Sequence, residues 1–156
     1  MKPDSTIKEQ SLNPQLKARA QAQVLPAADK LDDRILLALH AASEKKAIDL
    51  VVLDLREIAS FTDYFVITSG ANERQVQAIS DGVSENLKKT GCAAARVEGY
   101  KTAEWILLDY GDFIVHVFEQ KARSFYDLER LWRESKRVEL PLEFRVSSVS
   151  SLRRES

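Results

Sequence analysis

Several features that would commit this chain to a membrane or an oxidising compartment are scarce or absent. Cys92 is its single cysteine, so no disulfide can join two parts of the chain, which favours a reducing compartment. No run approaches the ~20 apolar residues that cross a bilayer. The first 28 residues lack the apolar segment of a secretory signal, and Asp4 and Glu9 are atypical of organellar transit peptides. We therefore expect a cytoplasmic protein with no membrane partner.

The signatures of common catalytic sites are also missing. Neither glycine-rich phosphate-binding pattern, GxxxxGK(S/T) or GxGxxG, occurs. Thr68, Ser69 and Gly70 form a small polar turn before a predicted helix, where phosphate can bind. The strands that follow carry no Asp-x-Asp or Asp-x-Glu pair to hold Mg²⁺, and His116 has no recognisable nucleophile with an orienting acid. We predict no catalytic, cofactor or metal site and no small-molecule substrate; a nucleotidyltransferase using Ser69 and Gly70 is the rival hypothesis.

Composition divides the chain into three parts. Residues 1–28 are polar and contain three of the four prolines, and residues 139–156 are rich in serine. Neither segment has enough apolar surface to offset the entropy lost on ordering. We expect a flexible N-terminal arm at 1–28, one folded domain at 29–138 and a flexible tail at 139–156. The net charge of −1 argues against nucleic-acid binding driven by the whole surface.

Hydrophobic periodicity in the predicted domain indicates the order α-β-β-α-β-β-β-α. Leu31, Ile35 and Leu39 recur at the spacing of one helix face, whereas short apolar runs rich in β-branched and aromatic residues are typical of strands. This order predicts an α/β fold with a mixed or antiparallel sheet of about five strands and helices packed on it. The predicted helices are 30–46, 72–89 and 122–135, and the predicted strands are 48–55, 64–69, 94–98, 104–109 and 113–119.

Acidic and aromatic side chains are concentrated in the hairpin formed by the last two predicted strands. Residues 98–119 contain five acidic residues and one basic residue. Aromatic residues often dominate binding energy, and without catalytic groups this combination suggests a docking surface for a basic partner. Alternation places Trp105 and Leu107 on one face of their strand and Ile106 and Leu108 on the other. The pattern alone fits a core position and an interface position for Trp105 equally.

A basic run follows the hairpin, with six bases and three acids between residues 121 and 137. Because the two signs are interspersed, the run indicates a solvent-exposed helix face. Contact with an RNA backbone is the alternative interpretation. The bases are Lys121, Arg123, Arg130, Arg133, Lys136 and Arg137.

A long, ordered set of motifs between residues 31 and 132 resembles the Iojap-related ribosomal silencing factors. The set begins with D-Y-F-V-I-x-S-G at 63–70 and R-Q-V at 74–76, and it ends with Y-D-L-E-R-L-W at 126–132. Between these lie E-G at 98–99, E-W at 104–105, D-x-G-D at 109–112 and V-H-V-F at 115–118. Neither terminal segment contributes to the resemblance.

The resemblance implies a function that composition does not reveal. It implies a translation repressor, not an enzyme, that binds the large ribosomal subunit through ribosomal protein number fourteen and blocks joining of the small subunit. A role in large-subunit assembly is the alternative. It also implies a nucleotidyltransferase-like sheet without catalytic carboxylates, a homodimer when free and a minor contact with ribosomal RNA. Combined with the chemistry of the hairpin, it predicts partner contacts at Tyr100, Glu104, Trp105, Leu107, Tyr110, Asp112 and His116.

Overall fold

Residues 31–145, the part of the chain that the computed structural model describes, fold into a mixed β-sheet with helices on both faces. The predicted arm at 1–28 and the end of the predicted tail, 146–156, lie outside the described residues. The helices are α1 (Asp33–Glu44), α2 (Glu73–Lys89), α3 (Gln120–Tyr126) and α4 (Leu128–Leu131), and the strands are β1 (Ile48–Asp54), β2 (Tyr64–Gly70), β3 (Arg96–Glu98), β4 (Trp105–Asp109), β5 (Phe113–Glu119) and β6 (Lys136–Arg137).

The six strands lie in the order β3-β4-β5-β2-β1-β6. The central strands β2 and β5 are parallel, and every other neighbouring pair is antiparallel. A tight turn joins β4 to β5, where the amide of Tyr110 donates to the carbonyl of Phe113 over 3.0 Å. The predicted α/β class with a mixed sheet is confirmed, and the sixth strand comes from the short β6.

Both faces of the sheet are apolar, but they are covered unequally. The long helices α1 and α2 cover one face, where an apolar stripe of α2 is completely buried: Val76, Ile79, Val83 and Leu87. The other face has a smaller core centred on Phe65 and Phe118, and the short helices α3 and α4 lie near it. No helix among the described residues is long and apolar enough to cross a membrane.

Side-chain caps set where the two long helices begin. The Asp32 carboxylate accepts from the amide of Arg34 over 2.7 Å, so α1 starts at Asp33, later than the predicted residue 30. The Asn72 side chain accepts from the amide of Gln75 over 2.9 Å, and α2 starts at Glu73. Each cap satisfies an amide that has no partner within its own helix.

The prediction of a single helix over 122–135 is wrong. Asp127 adopts a left-handed conformation, with φ of 48°, and divides the segment into α3 and α4. The break changes which side chains face the sheet: Leu128 is buried, whereas Phe125 is 80% exposed and Leu131 is 71% exposed. A continuous helix would have placed these three residues on one buried side.

The beginning of the predicted tail belongs to the folded domain. After β6, the amide of Val138 donates to the carbonyl of Val52 over 2.9 Å. Leu140 and Phe144 are buried in the core on the α1 side. The domain boundary predicted at residue 138 is therefore too early, because three apolar residues within seven positions supply an anchor that the serine-rich composition obscured.

Two glycines with positive φ offer a matched test of backbone geometry. Gly91 has φ of +88° and open space around an added Cβ, whereas at Gly99, with φ of +81°, an added Cβ would overlap the carbonyl oxygen of Trp105. We expect Gly91→Ala to lower the free energy of unfolding by about 1 kcal/mol through strain alone. Gly99→Ala should lower it by about 3 kcal/mol or more, because β4 must also shift. Urea unfolding measures both; equal losses would contradict the close approach.

Candidate partner-binding surface

Strand register gathers apolar side chains on the sheet face opposite α1 and α2. Trp105 pairs with Phe118 and Leu107 pairs with His116 across the β4–β5 ladder. Since paired residues point to the same face, these four side chains form one patch beside Phe65 of β2. Trp105 and Leu107 are only partly buried, which separates them from Ile106 and Leu108 on the fully covered face.

A continuous network of rings extends across this patch. Successive ring centroids lie between 4.4 and 6.3 Å apart, in tilted, stacked and edge-on arrangements. Trp105 stacks on Phe118 at 4.9 Å and also touches Tyr126 of α3 at 4.9 Å. We call this network the aromatic face; its members are Phe61, Phe65, Trp105, His116, Phe118, Phe125, Tyr126 and Trp132.

A hydrogen bond fixes the orientation of the Trp105 indole. Its Nε1–H donates to Nδ1 of His116 over 3.0 Å, which requires a lone pair on that nitrogen. His116 is 3% exposed and packs edge-on against Phe65 at 4.4 Å. Burial lowers the pKa of His116 to about 3, so the imidazole is neutral at physiological pH and accepts this bond. Within the described structure His116 Nε2 has no hydrogen-bond partner.

Large apolar side chains are exposed around the aromatic face. Phe125 and Leu131 are among the most exposed, and Phe61 is 57% exposed while contacting Phe65 and Trp132. Contiguous exposed apolar surface of this kind marks interaction sites. The sequence prediction missed Phe61, Phe125, Tyr126 and Leu131. The available signal was that β2 and β5 are apolar on both faces, so that a second face of the sheet also needed cover.

The seven predicted contacts do not converge on one surface. Trp105, Leu107 and His116 lie together in or beside the aromatic face. Glu104 is exposed just before β4, where its carbonyl accepts from the amide of Glu119 over 2.9 Å. Tyr100 is 38% exposed and lies on the α2 side, where its hydroxyl donates to the Asp81 carboxylate over 3.0 Å.

The prediction of Tyr110 as a partner contact is corrected by its burial. Its side chain is 8% exposed and stacks on Phe113 at 4.9 Å, within the core that α1 and α2 cover. Burial raises the pKa of Tyr110 to about 12. Asp112 lies in the adjacent turn, away from the aromatic face, and its carboxylate accepts from Arg34 over 2.8 Å.

The acidic charge of the hairpin is partly neutralised by arginines from other segments. Arg96 pairs with Glu98 at 3.2 Å and with Asp109 at 3.4 Å, and Arg34 of α1 pairs with Asp112. Glu119 caps α3 by accepting from the amide of Lys121 over 3.1 Å. The hairpin is therefore less electronegative than its sequence suggested, and the apolar aromatic face is the stronger feature for docking.

Ser69 and Gly70, which the rival enzyme hypothesis assigns to phosphate binding, make structural contacts within the protein. The Ser69 hydroxyl accepts from Arg123 over 2.7 Å, and a Cβ on Gly70 would lie 3.0 Å from the backbone nitrogen of Val76. Gly70 thus allows β2 and α2 to approach closely. Among residues 31–145, no cluster of three or more histidine, cysteine, aspartate or glutamate side chains has a metal-binding arrangement.

Burial of His116 predicts a specific loss of stability in acid. The unfolded imidazole takes up a proton below its ordinary pKa of 6.5, whereas the folded one does so only near pH 3. The free energy of unfolding should therefore fall by about 1.4 kcal/mol per pH unit from this group as pH drops between those values. His116→Phe should remove that slope, while the exposed His40→Gln should keep it. Urea unfolding from pH 7 to 4 measures the slopes; identical slopes for all three proteins would contradict the prediction.

Comparison with known proteins identifies the family. The model described as "Ribosomal silencing factor during starvation" matches residues 28–155. The chain is 41% identical over 104 residues to ribosomal silencing factor RsfS of Halalkalibacterium halodurans, covering 67% of this chain and 89% of that protein. Chloroplastic Iojap of Zea mays is 36% identical over 103 residues, covering 66% of this chain and 45% of that protein. A crystal structure from Bacillus halodurans shares 40% identity, with a TM-score of 0.62 and coverage of 68% of this chain and 96% of that chain. The chain therefore belongs to the ribosomal silencing factor family.

Proposed function

We propose that this protein represses translation by binding the large ribosomal subunit through ribosomal protein number fourteen, where it sterically blocks joining of the small subunit. Family membership supports the ribosomal partner. The observation that carries the assignment to a surface is the exposed aromatic face, with Trp105 at its centre. The protein acts in the cytoplasm as a binding protein, with no small-molecule substrate.

The aromatic face has the features of a protein-binding hot spot, with a central aromatic side chain surrounded by apolar neighbours. Trp105 is half-buried and held in one orientation by His116, so little side-chain entropy is lost when a partner covers it. Exposed apolar neighbours such as Phe61 and Tyr126 exclude water around such an anchor. Leu107 supplies apolar contact beside it. This arrangement favours a protein surface as the principal partner.

Charged groups at the rim contribute orientation. Glu104 is exposed on the hairpin side, where it meets a basic partner. Arg130 and Arg133 have no ion-pair partner among the described residues and supply a minor contact with ribosomal RNA. Tyr100 lies on the α2 side and Asp112 lies in the β4–β5 turn, so each extends the contact only if the partner wraps around the hairpin.

When no subunit is bound, a second copy of the chain covers the aromatic face. Exposed side chains as large as Phe125 and Leu131 favour association of two copies, because burial of apolar area is favourable. A homodimer formed this way must separate before the same face binds a ribosome.

Co-sedimentation and subunit-joining assays test the proposed function. Purified protein should travel with isolated large subunits through a sucrose gradient at physiological salt and reduce the yield of joined ribosomes when small subunits are added. Failure to travel with the large subunit would contradict the proposal. Binding without any effect on joining would favour the role in large-subunit assembly.

Trp105→Ala tests the anchor directly. The variant should bind large subunits more weakly by ~2 kcal/mol or more, because a central tryptophan contact is lost. Tyr110→Phe is the matched control: it changes an aromatic residue of the same hairpin, but in the opposite core, and should leave binding unchanged. Sedimentation titrations measure both affinities, and thermal melts show whether each variant folds. A folded Trp105→Ala variant with full affinity would place the anchor elsewhere.

A further inference from the structure

Arg123 connects four separate parts of the fold through one side chain. Its Nη1 donates to the carbonyl of Asp49 over 2.8 Å and to the hydroxyl of Ser69 over 2.7 Å, with a longer bond of 3.3 Å to the carbonyl of Ile48. Its Nε and Nη2 donate to the two carboxylate oxygens of Glu129 over 3.2 and 3.1 Å. The guanidinium thus joins α3 to α4 and both to the ends of β1 and β2. We call this set of bonds the arginine brace.

The short helices depend on such a connection because apolar packing holds them weakly. None of the residues of α3 is fully buried, and Leu128 is the one fully buried residue of α4. Helices of seven and four residues are far shorter than those that persist alone in water. The left-handed Asp127 between them removes the continuity that one helix would provide. Polar bonds to the sheet therefore replace the hydrophobic stripe that anchors α2.

These helices carry a large share of the exposed apolar surface. Phe125 and Tyr126 follow Arg123 on α3, and Leu131 ends α4. The Tyr126 ring contacts both Trp105 and Phe118. The position of the arginine brace therefore sets where these side chains lie relative to the anchor of the aromatic face.

Arg123 is poorly suited to bind a free anion. It lines a polar hollow of about 550 Å³ together with Ser69, Glu129 and Arg137. All three of its nitrogens already have acceptors within the protein, and its side chain is only 12% exposed. A phosphate entering the hollow would have to displace Glu129, which also pairs with Arg137 at 3.4 Å. These bonds favour a structural connection over a ligand site.

We propose that Arg123 is a positioning residue: through Glu129, Asp49 and Ser69 it holds α3 and α4 so that Phe125, Tyr126 and Leu131 are preorganised for the ribosomal partner. This inference rests on the proposed function. Preorganisation raises affinity because the partner does not have to order the surface that it binds. Loss of the brace should loosen these helices while the core under α1 and α2 remains intact.

Hydrogen exchange of the free protein tests the brace without any partner. In Arg123→Ala, amides of residues 120–131 should exchange about tenfold faster or more, because local opening costs less. Amides of α1 and α2 should keep their rates. Arg56→Ala is the matched control. Like Arg123 with Glu129, Arg56 makes a bidentate contact with a carboxylate, at 3.0 and 2.8 Å, but its partner Asp54 is only two residues away. Unchanged exchange at 120–131, or faster exchange throughout the domain, would overturn the inference.

Binding to isolated large subunits is the second test of the proposed role of Arg123. Arg123→Ala should bind about tenfold more weakly, Arg123→Lys should recover part of that loss through a single charged donor, and Arg56→Ala should bind like the natural protein. If the natural protein does not bind large subunits, the proposed function is wrong. The hydrogen-exchange result still tests whether Arg123 holds α3 and α4 in place. If the natural protein binds and Arg123→Ala binds equally despite faster exchange, positioning is wrong. Should Arg123→Ala not fold, Glu129→Gln weakens the contact between α3 and α4, together with the ion pair to Arg137, and keeps the bonds of Arg123 to the sheet; the same outcomes apply.

Discussion

The pairing of β2 with β5 at the centre of the sheet is the constraint on which the rest of the structure depends. Both strands are apolar on both faces, so the sheet needs cover on two sides. The long helices α1 and α2 supply one complete cover. On the other side, the chain provides α3 and α4, which together leave large aromatic surface in contact with solvent. In the proposed function, a partner protein would complete the second cover, and the same imbalance that shapes the fold would then provide the binding surface.

Local patterns were sufficient to predict the regular parts of the domain. The apolar stripe of α2 and the composition of β2 and β5 fixed those elements to within a residue, because periodicity and propensity agreed. The break at Asp127 was not predicted, since positive φ is uncommon even for aspartate, which adopts it more often than most residues. The anchor formed by Leu140 and Phe144 was hidden in a segment of disordered composition, because whether two apolar side chains find a cavity is a tertiary property.

Within the candidate site, alternation was more informative than composition. It separated Trp105 and Leu107 from Ile106 and Leu108, and the aromatic face follows that division. Tyr110 continues the side of Ile106 and Leu108, which the fold buries. Alternation alone did not say which side faces the core, and the emphasis on residue type favoured a contact at Tyr110. Charge counting failed for a different reason. Arg34 is distant in sequence from the hairpin that it neutralises, and only the folded chain brings the two together.

The segment after α4 also limits how copies of this protein can meet. β6 and Val138 bond to the C-terminal half of β1. At the opposite edge, β3 has three exposed residues, two of them charged. Neither described edge offers a long row of free backbone groups to extend the sheet, so the proposed homodimer would have to form face to face. A copy held on the aromatic face would compete with the proposed ribosomal partner, and by mass action the pool of free monomer would grow with about the square root of total protein once dimers predominate. Self-association would thus buffer repression against bursts of synthesis.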